Sequence, residues 1–229
     1  MLEDVMSRDE YVIIILDACR YDYFGRLIGG YIPGGVLEKR LSPGSCTLEF
    51  LNNEFKGFYD CTVISSNGFL QDRLIEHPDG WKFNGPEHFK RVVNLFIHGW
   101  SEELKTVPPW EVNKAALENM DDRMLIWYMQ PHFPAIGKLK LIMNANQIKT
   151  MWKQGKLSLS AIRLAYEYNL RLVLSYVAKL IDRLDHDLIV ITSDHGELLG
   201  EGGKFNHPCG SNLPILRTVP FYVINSRKR

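Results

Sequence analysis

The sequence predicts an α/β domain: a mostly parallel sheet with helices on both faces. Two observations carry this. Tyr11 to Leu16 is a run of apolar, largely β-branched residues, Asp187 to Thr192 encloses the apolar run Leu-Ile-Val-Ile, and Met124 to Met129 is a third apolar run, with none of the alternation of a half-exposed strand. A strand that is apolar at every position has both faces covered, as happens between two layers of helix. Segments of helical period separate the runs, which is the pattern of a parallel, doubly covered sheet whose ligands gather beyond the carboxyl ends of its strands. At 229 residues and 45% hydrophobic content, the chain is long and apolar enough for one domain spanning residues 1 to 229.

The elements follow in order. Tyr11 to Leu16 is a buried strand ending at Asp17, and a helix follows from Arg20 to Ile28. Gly29, Gly30, Pro33, Gly34 and Gly35 mark a turn region, after which Val36 to Leu41 reads as a short strand leading into Ser42-Pro43-Gly44-Ser45-Cys46-Thr47. Thr47 to Asn53 is helical, and Cys61 to Ser65 is another strand. The polar segment from Gln71 to Pro109 has no clear period. Met124 to Met129 is a buried strand that closes on Gln130-Pro131-His132-Phe133-Pro134.

Ser158 to Leu184 repeats apolar residues at helical spacing (Ile162, Ala165, Leu170, Leu174, Val177, Leu180, Ile181, Leu184), so it is the longest helix, with Ser158 or Ser160 as its cap. Asp187 to Thr192 runs directly into Ser193-Asp194-His195-Gly196-Glu197, and Val219 to Ile224 supplies a last strand. Ser226 to Arg229 form a short basic tail.

Charge excludes one class of partner. Lys plus Arg and Asp plus Glu number 27 each, so no global basic field draws the chain to nucleic acid or acidic lipid. The first ten residues carry four acidic side chains and no apolar stretch, and no segment approaches the length of a membrane span, so the expected compartment is the cytoplasm, with no membrane anchor. Cys19, Cys46, Cys61 and Cys209 lie far apart with no C-x-x-C pair, which predicts reduced thiols.

Polar residues at strand ends are the chemical signal. Asp17, Asp194 and His195 offer two carboxylates and an imidazole, donors suited to zinc or manganese, with a coordination position left for a nucleophile or substrate oxygen. Bland readings compete. Asp17 is also a plausible helix cap, Thr47 an ordinary N-cap, and His132 a loop histidine satisfied by carbonyls.

The block from Ser193 to His207, Ser-Asp-His-Gly-Glu-Leu-Leu-Gly-Glu-Gly-Gly-Lys-Phe-Asn-His, resembles the sulfatase-like branch of the alkaline phosphatase superfamily, which includes sulfatases, phosphoethanolamine transferases and lipoteichoic acid synthases. Ile15-Leu16-Asp17-Ala18-Cys19-Arg20-Tyr21-Asp22, Pro-His-Phe-Pro around His132, and Leu216-Arg217-Thr218-Val219-Pro220-Phe221 are similar to further family segments, in family order. The resemblance implies an alkaline phosphatase/sulfatase-like domain with one or two ions of zinc or manganese. It implies metal ligands at Asp17, Asp194, His195, His207 and the nucleophile oxygen.

The nucleophile is expected in Gly44-Ser45-Cys46-Thr47-Leu48-Glu49-Phe50. Formylglycine sulfatases carry Cys-x-Pro-x-Arg there, and Leu48 and Phe50 depart from it, which disfavours that class. Thr47 is the first choice and Ser45 the second. His132 and His207 are expected to contact substrate, protonate the leaving group or hold a second ion, and Arg20 to pair with substrate oxygens or serve the fold. The implied function is hydrolysis of a phosphoric mono- or diester through a phospho-threonine. The alternatives are a sulfatase, a phosphoryl-headgroup transferase, or a non-catalytic metal- or anion-binding relative. The expected partner is a small anionic ester, with self-association into a homo-oligomer left open.

Overall fold

The computed structural model describes residues 1 to 225; the basic tail at residues 226 to 229 lies outside the described residues. Seven strands form the main sheet: β1 Tyr11–Leu16, β2 Val36–Leu41, β3 Tyr59–Ser65, β4 Phe89–Asn94, β5 Arg123–Tyr128, β6 Leu188–Thr192 and β7 Thr218–Asn225. Their spatial order is β2-β7-β6-β1-β5-β3-β4. β1 pairs in parallel with β5 and β6, and β3 in parallel with β4 and β5. β7 runs antiparallel to both its neighbours, so the sheet is mixed but mostly parallel.

β1 is fully buried because it lies at the centre of this order, with a core on each face. Val12, Ile14 and Leu16 point into the larger core, which also takes in side chains of the helices α1 Tyr21–Leu27, α3 Pro109–Glu118, α4 Ala145–Lys153 and α5 Leu159–Ile181. Tyr11, Ile13 and Ile15 point the other way, against Phe50, Leu51 and Phe55 on or beside α2 Thr47–Glu54. The alternation of side chains along a strand thus divides one apolar run between two cores.

α5 is the longest helix, 23 residues, and Ser158 caps it by accepting a hydrogen bond from the Ala161 amide. The segment that had no clear period holds β4 and the small hairpin of Leu74–Glu76 and Lys82–Asn84. β4 was hidden because it is an edge strand with a mixed exposure pattern. No helix among the described residues is long and apolar enough to cross a membrane.

Candidate active site

The parallel strands bring their carboxyl ends to one edge, and the chemical residues gather there. Asp17 directly follows β1, Asp194 and His195 follow β6, and His132 lies four residues beyond β5. The helix caps separate function from local structure. α1 begins at Tyr21 with Arg20 at its cap, so Asp17 does not cap it. Cys46 occupies the cap of α2, which makes Thr47 the first helical residue.

Ligand atoms of Asp17, Asp194 and His195 lie within 4.8 Å of one another, although the chain separates the first from the others by almost its whole length. The Thr47 hydroxyl joins them, with Oγ1 2.7 Å from Asp194 Oδ2 and 3.2 Å from His195 Nε2. All four side chains are buried.

The surrounding chain fixes each one. Asp17 Oδ2 accepts from Asn67 Nδ2 at 2.7 Å and from Trp127 Nε1 at 3.1 Å. The Trp127 ring also packs edge-on against Phe50, so α2 and the Asp17 carboxylate share one support. Asp194 Oδ1 accepts from the amides of Ala18 at 3.1 Å and His195 at 3.0 Å, leaving Oδ2 to face Thr47. His195 Nδ1–H donates to the Gly196 carbonyl at 2.8 Å, which turns Nε2 towards the carboxylates. Gly196 has no room for a side chain, because a Cβ there would fall 2.0 Å from the Ile215 carbonyl oxygen.

The electrostatics call for positive charge. Burial, and then the neighbouring Asp194 charge, push the Asp17 carboxyl well above its ordinary value. Burial also opposes ionisation of Asp194, but His195 and its hydrogen bonds hold it below the usual range. Burial alone would lower the His195 pKa, yet the two carboxylates raise it to about 9, so a proton on the imidazole supplies the charge that the carboxylates lack. A divalent cation between the same atoms satisfies both carboxylates at once, and the donor set suits zinc or manganese.

A second donor set, His132, Glu197 and His207, lies beside the first. His207 Nδ1 is 3.0 Å from Glu197 Oε2, and the His207 ring sits 4.1 Å from the His195 ring and 5.2 Å from that of His132, centre to centre. His132 Nδ1 and Glu197 Oε1 are buried without a hydrogen-bond partner, which suits a further ligand at this set. Burial lowers the pKa of both histidines, assisted at His207 by His195 and His132, while burial pushes Glu197 up to about 7.

Two expected residues stand elsewhere. The Ser45 hydroxyl is bonded to Glu49 Oε2 and the Pro208 carbonyl, each at 2.9 Å, outside the Asp17, Asp194 and His195 cluster. Arg20 forms ion pairs with Asp22 at 2.8 Å and Glu201 at 2.7 Å and touches the Glu197 carbonyl, so its contacts are structural. Reduced thiols are corrected: Cys46 and Cys209, 163 residues apart, form a disulfide, and only Cys19 and Cys61 are free among the described residues. Sequence spacing gave no hint of that pairing because folding alone brings the two residues together. It also removes Cys46 as a precursor of formylglycine.

Sequence reasoning missed several supporting residues. Glu197 stood inside the quoted Ser-Asp-His-Gly-Glu block, and that position was its signal. Asn67 and Trp127 had none. Neither did the two grips of α5 on the site loops. Tyr166 OH donates to the Ala18 carbonyl at 2.7 Å, and Asn169 Nδ2 reaches the carbonyls of Pro131 and His132, each at 3.1 Å.

A cleft of about 380 Å³ is lined by Thr47 and His207 together with Phe69, His77, Asp79 and Trp81. A groove of about 900 Å³ lies at the opposite end of the sheet, beside Arg8, Asp187 and Asn225, away from this chemistry.

No protein-family model matches the sequence, and no curated protein matches it. Solved structures do. The integral membrane protein lipooligosaccharide phosphoethanolamine transferase A from Neisseria meningitidis superposes with a TM-score of 0.65 at 15% identity, over 95% of this chain and 47% of that one. The chain has the alkaline phosphatase-like fold of such enzymes. It spans about half the length of that transferase. The C-terminal periplasmic domain of EcEptC from Escherichia coli, solved in complex with zinc, matches over 97% of this chain and 75% of that one, with a TM-score of 0.54 and 13% identity. The phosphonate monoester hydrolase of Agrobacterium radiobacter matches over 94% and 68%, with a TM-score of 0.57 and 13% identity.

The cytoplasmic expectation is corrected by these findings. It rested on the lack of an apolar segment, whereas the neighbouring structures include periplasmic domains and the Cys46–Cys209 disulfide is a linkage of oxidising compartments.

Proposed function

We propose that the chain is a metal-dependent enzyme that cleaves a phosphoric ester, mono- or diester, through Thr47. The observation that carries this reading is the Thr47 hydroxyl, 2.7 Å from Asp194 and 3.2 Å from His195 at the mouth of the cleft. A hydroxyl buried against a carboxylate and an imidazole, at the positive end of a helix, has both a proton acceptor and a field that favours an incoming anion.

Asp17, Asp194, His195 and Thr47 would hold the principal divalent ion, zinc or manganese. Bound there, the ion would lower the pKa of the threonine hydroxyl and offset the charge that gathers on the ester oxygens. Asp194 Oδ2, to which the Thr47 hydroxyl already donates, takes the Thr47 proton as Oγ1 bonds to phosphorus. The bond between phosphorus and the leaving oxygen breaks, and the Glu197–His207 pair delivers a proton to that oxygen. His132, beside them, faces the non-bridging oxygens. Water then attacks the phospho-threonine, which returns free Thr47 and releases the phosphoryl group.

A second reading has an acceptor alcohol rather than water discharge the phospho-threonine. The fold shared with phosphoethanolamine transferases favours it. The two readings share the first half-reaction, so one experiment tests both. The purified chain, loaded with zinc or manganese, is mixed with an aryl phosphate and a phosphodiester, and its intact mass is followed. The expected result is a phosphoryl-bearing adduct on Thr47 that is missing in Thr47→Ala. Turnover by Thr47→Ala at the wild-type rate would sink the assignment.

A further inference from the structure

The loop that carries His207 is fastened to the start of the Thr47 helix at three points. Cys46, the residue before Thr47, is bonded to Cys209, two residues beyond His207. The Ser45 hydroxyl lies 2.9 Å from the Pro208 carbonyl and accepts from the Ser211 amide at 2.9 Å. Glu49, in the first turn of α2, accepts from the amides of Ser45 at 2.8 Å and Gly210 at 3.2 Å. Each fastening runs between residues 45–49 and residues 208–211.

The loop itself has little else to hold it. Pro208, Cys209 and Gly210 are exposed, and an exposed segment without buried apolar contacts opens easily unless it is tied. On its other side Phe205 and Asn206 pair with Leu199 and Leu198, and the His207 ring lies against Glu197, so the fastenings to residues 45–49 are what hold the exposed side of the loop. The cap of α2 gives an independent indication. Ser, Thr, Asp and Asn are the residues that cap a helix well, yet this position holds a cysteine that makes no side-chain capping bond. A poor capper that is disulfide-bonded next to the nucleophile points to a role other than helix stability.

We infer that Cys46–Cys209, Ser45 and Glu49 form a positioning clamp that fixes His207 over Thr47, so that the transfer step depends on the disulfide and on the Glu49 carboxylate. None of the four touches the reacting atoms. The inference rests on the reading of Thr47 as nucleophile and His207 as proton donor.

The test uses the full chain, metal-loaded, in three forms: oxidised, reduced while folded with tris(2-carboxyethyl)phosphine, and carrying Cys46→Ser with Cys209→Ser. Serine at residue 46 is a better helix cap than cysteine, so the double variant removes the tie without weakening the start of α2. With an aryl phosphate ester, kcat of the reduced and double-variant proteins is expected to fall on the order of 10- to 100-fold while KM stays nearly constant, as for a misplaced catalytic group. Glu49→Ala is expected to lose activity in the same way, and Glu49→Gln, which keeps an acceptor oxygen, to recover part of it.

Hydrogen exchange at residues 207–211 and the His207 ring resonances are measured alongside. They should change on reduction while the sheet amides stay protected. A kcat within about twofold of the oxidised value, together with unchanged exchange, overturns the clamp. Should the oxidised protein turn over no ester at all, the functional reading fails by itself, and the exchange and resonance data still decide the clamp. Should the double variant not fold, the reduced wild type decides it.

Discussion

At the scale of single residues, the site is a set of side chains each aimed by a partner that has no chemistry of its own. Asn67 and Trp127 hold one oxygen of Asp17, the Gly196 carbonyl sets the His195 tautomer, and two amides occupy the rear oxygen of Asp194. Removing such a partner leaves the ligand present but free to turn. Asn67→Ala is therefore expected to weaken zinc binding by about 10- to 100-fold, measured by competition with a chromophoric chelator, with the far-ultraviolet spectrum unchanged. Thr47→Ala should retain most of that metal affinity and lose the phospho-enzyme. Thr47→Ser, which keeps the hydroxyl, should form the adduct more slowly. Equal adduct formation by the alanine and wild-type proteins would place the nucleophile elsewhere.

At the scale of elements, loops are locked to one another by contacts that cross the sheet edge. Arg20, next to α1, reaches Glu201 in the glycine-rich turn that separates Glu197 from His207. Burial opposes the charge on Glu201, yet Arg20 and backbone amides hold its carboxyl below the ordinary range, as Arg20 does for Asp22. A depressed carboxylate contributes stability above its unfolded pKa and loses it as the pH falls through the lower folded value. The melting temperature should therefore drop on acidification below the normal carboxylate range. Glu201→Gln should flatten that part of the curve, and an unchanged acid limb would show that the ion pair contributes nothing.

Gly196 shows the same dependence on close approach between β6 and the return segment before β7. Gly196→Ala would drive a Cβ into the Ile215 carbonyl, and since backbone must move, a loss of more than about 2 kcal/mol in chemical denaturation is expected.

For the molecule as a whole, two buried carboxylates and a buried imidazole make a cation part of the fold's energetics. Ligand that binds only the native state stabilises by mass action, by about 2.7 kcal/mol at a hundredfold excess over Kd. Zinc or manganese should therefore raise the melting temperature of chelator-treated protein, and Asp194→Asn should abolish the rise. Elemental analysis of the same samples counts the ions held by the two donor sets. A melting temperature indifferent to both metals would remove the metal site from the proposal.

Much of this was legible in the sequence, for a reason that differs from element to element. β1, β5 and β6 announce themselves because strands buried on both faces must be apolar throughout, and α5 because a helix across a sheet needs a continuous stripe. Asp17, His132, Asp194 and His195 were legible because a polar residue that ends an apolar run has to leave the core at the strand's carboxyl end. Edge strand β4, half exposed, carried no such pattern. The Cys46–Cys209 pairing, the grip of Asn67 and Trp127 on Asp17, and the engagement of Arg20 with Glu201 depend on distances between residues far apart in the chain. Local sequence determined which buried segments are strands and which residues stand at their ends. Only the tertiary structure decided which of those ends meet, because hydrogen bonds and disulfides act over a few ångströms of space whatever length of chain lies between their partners.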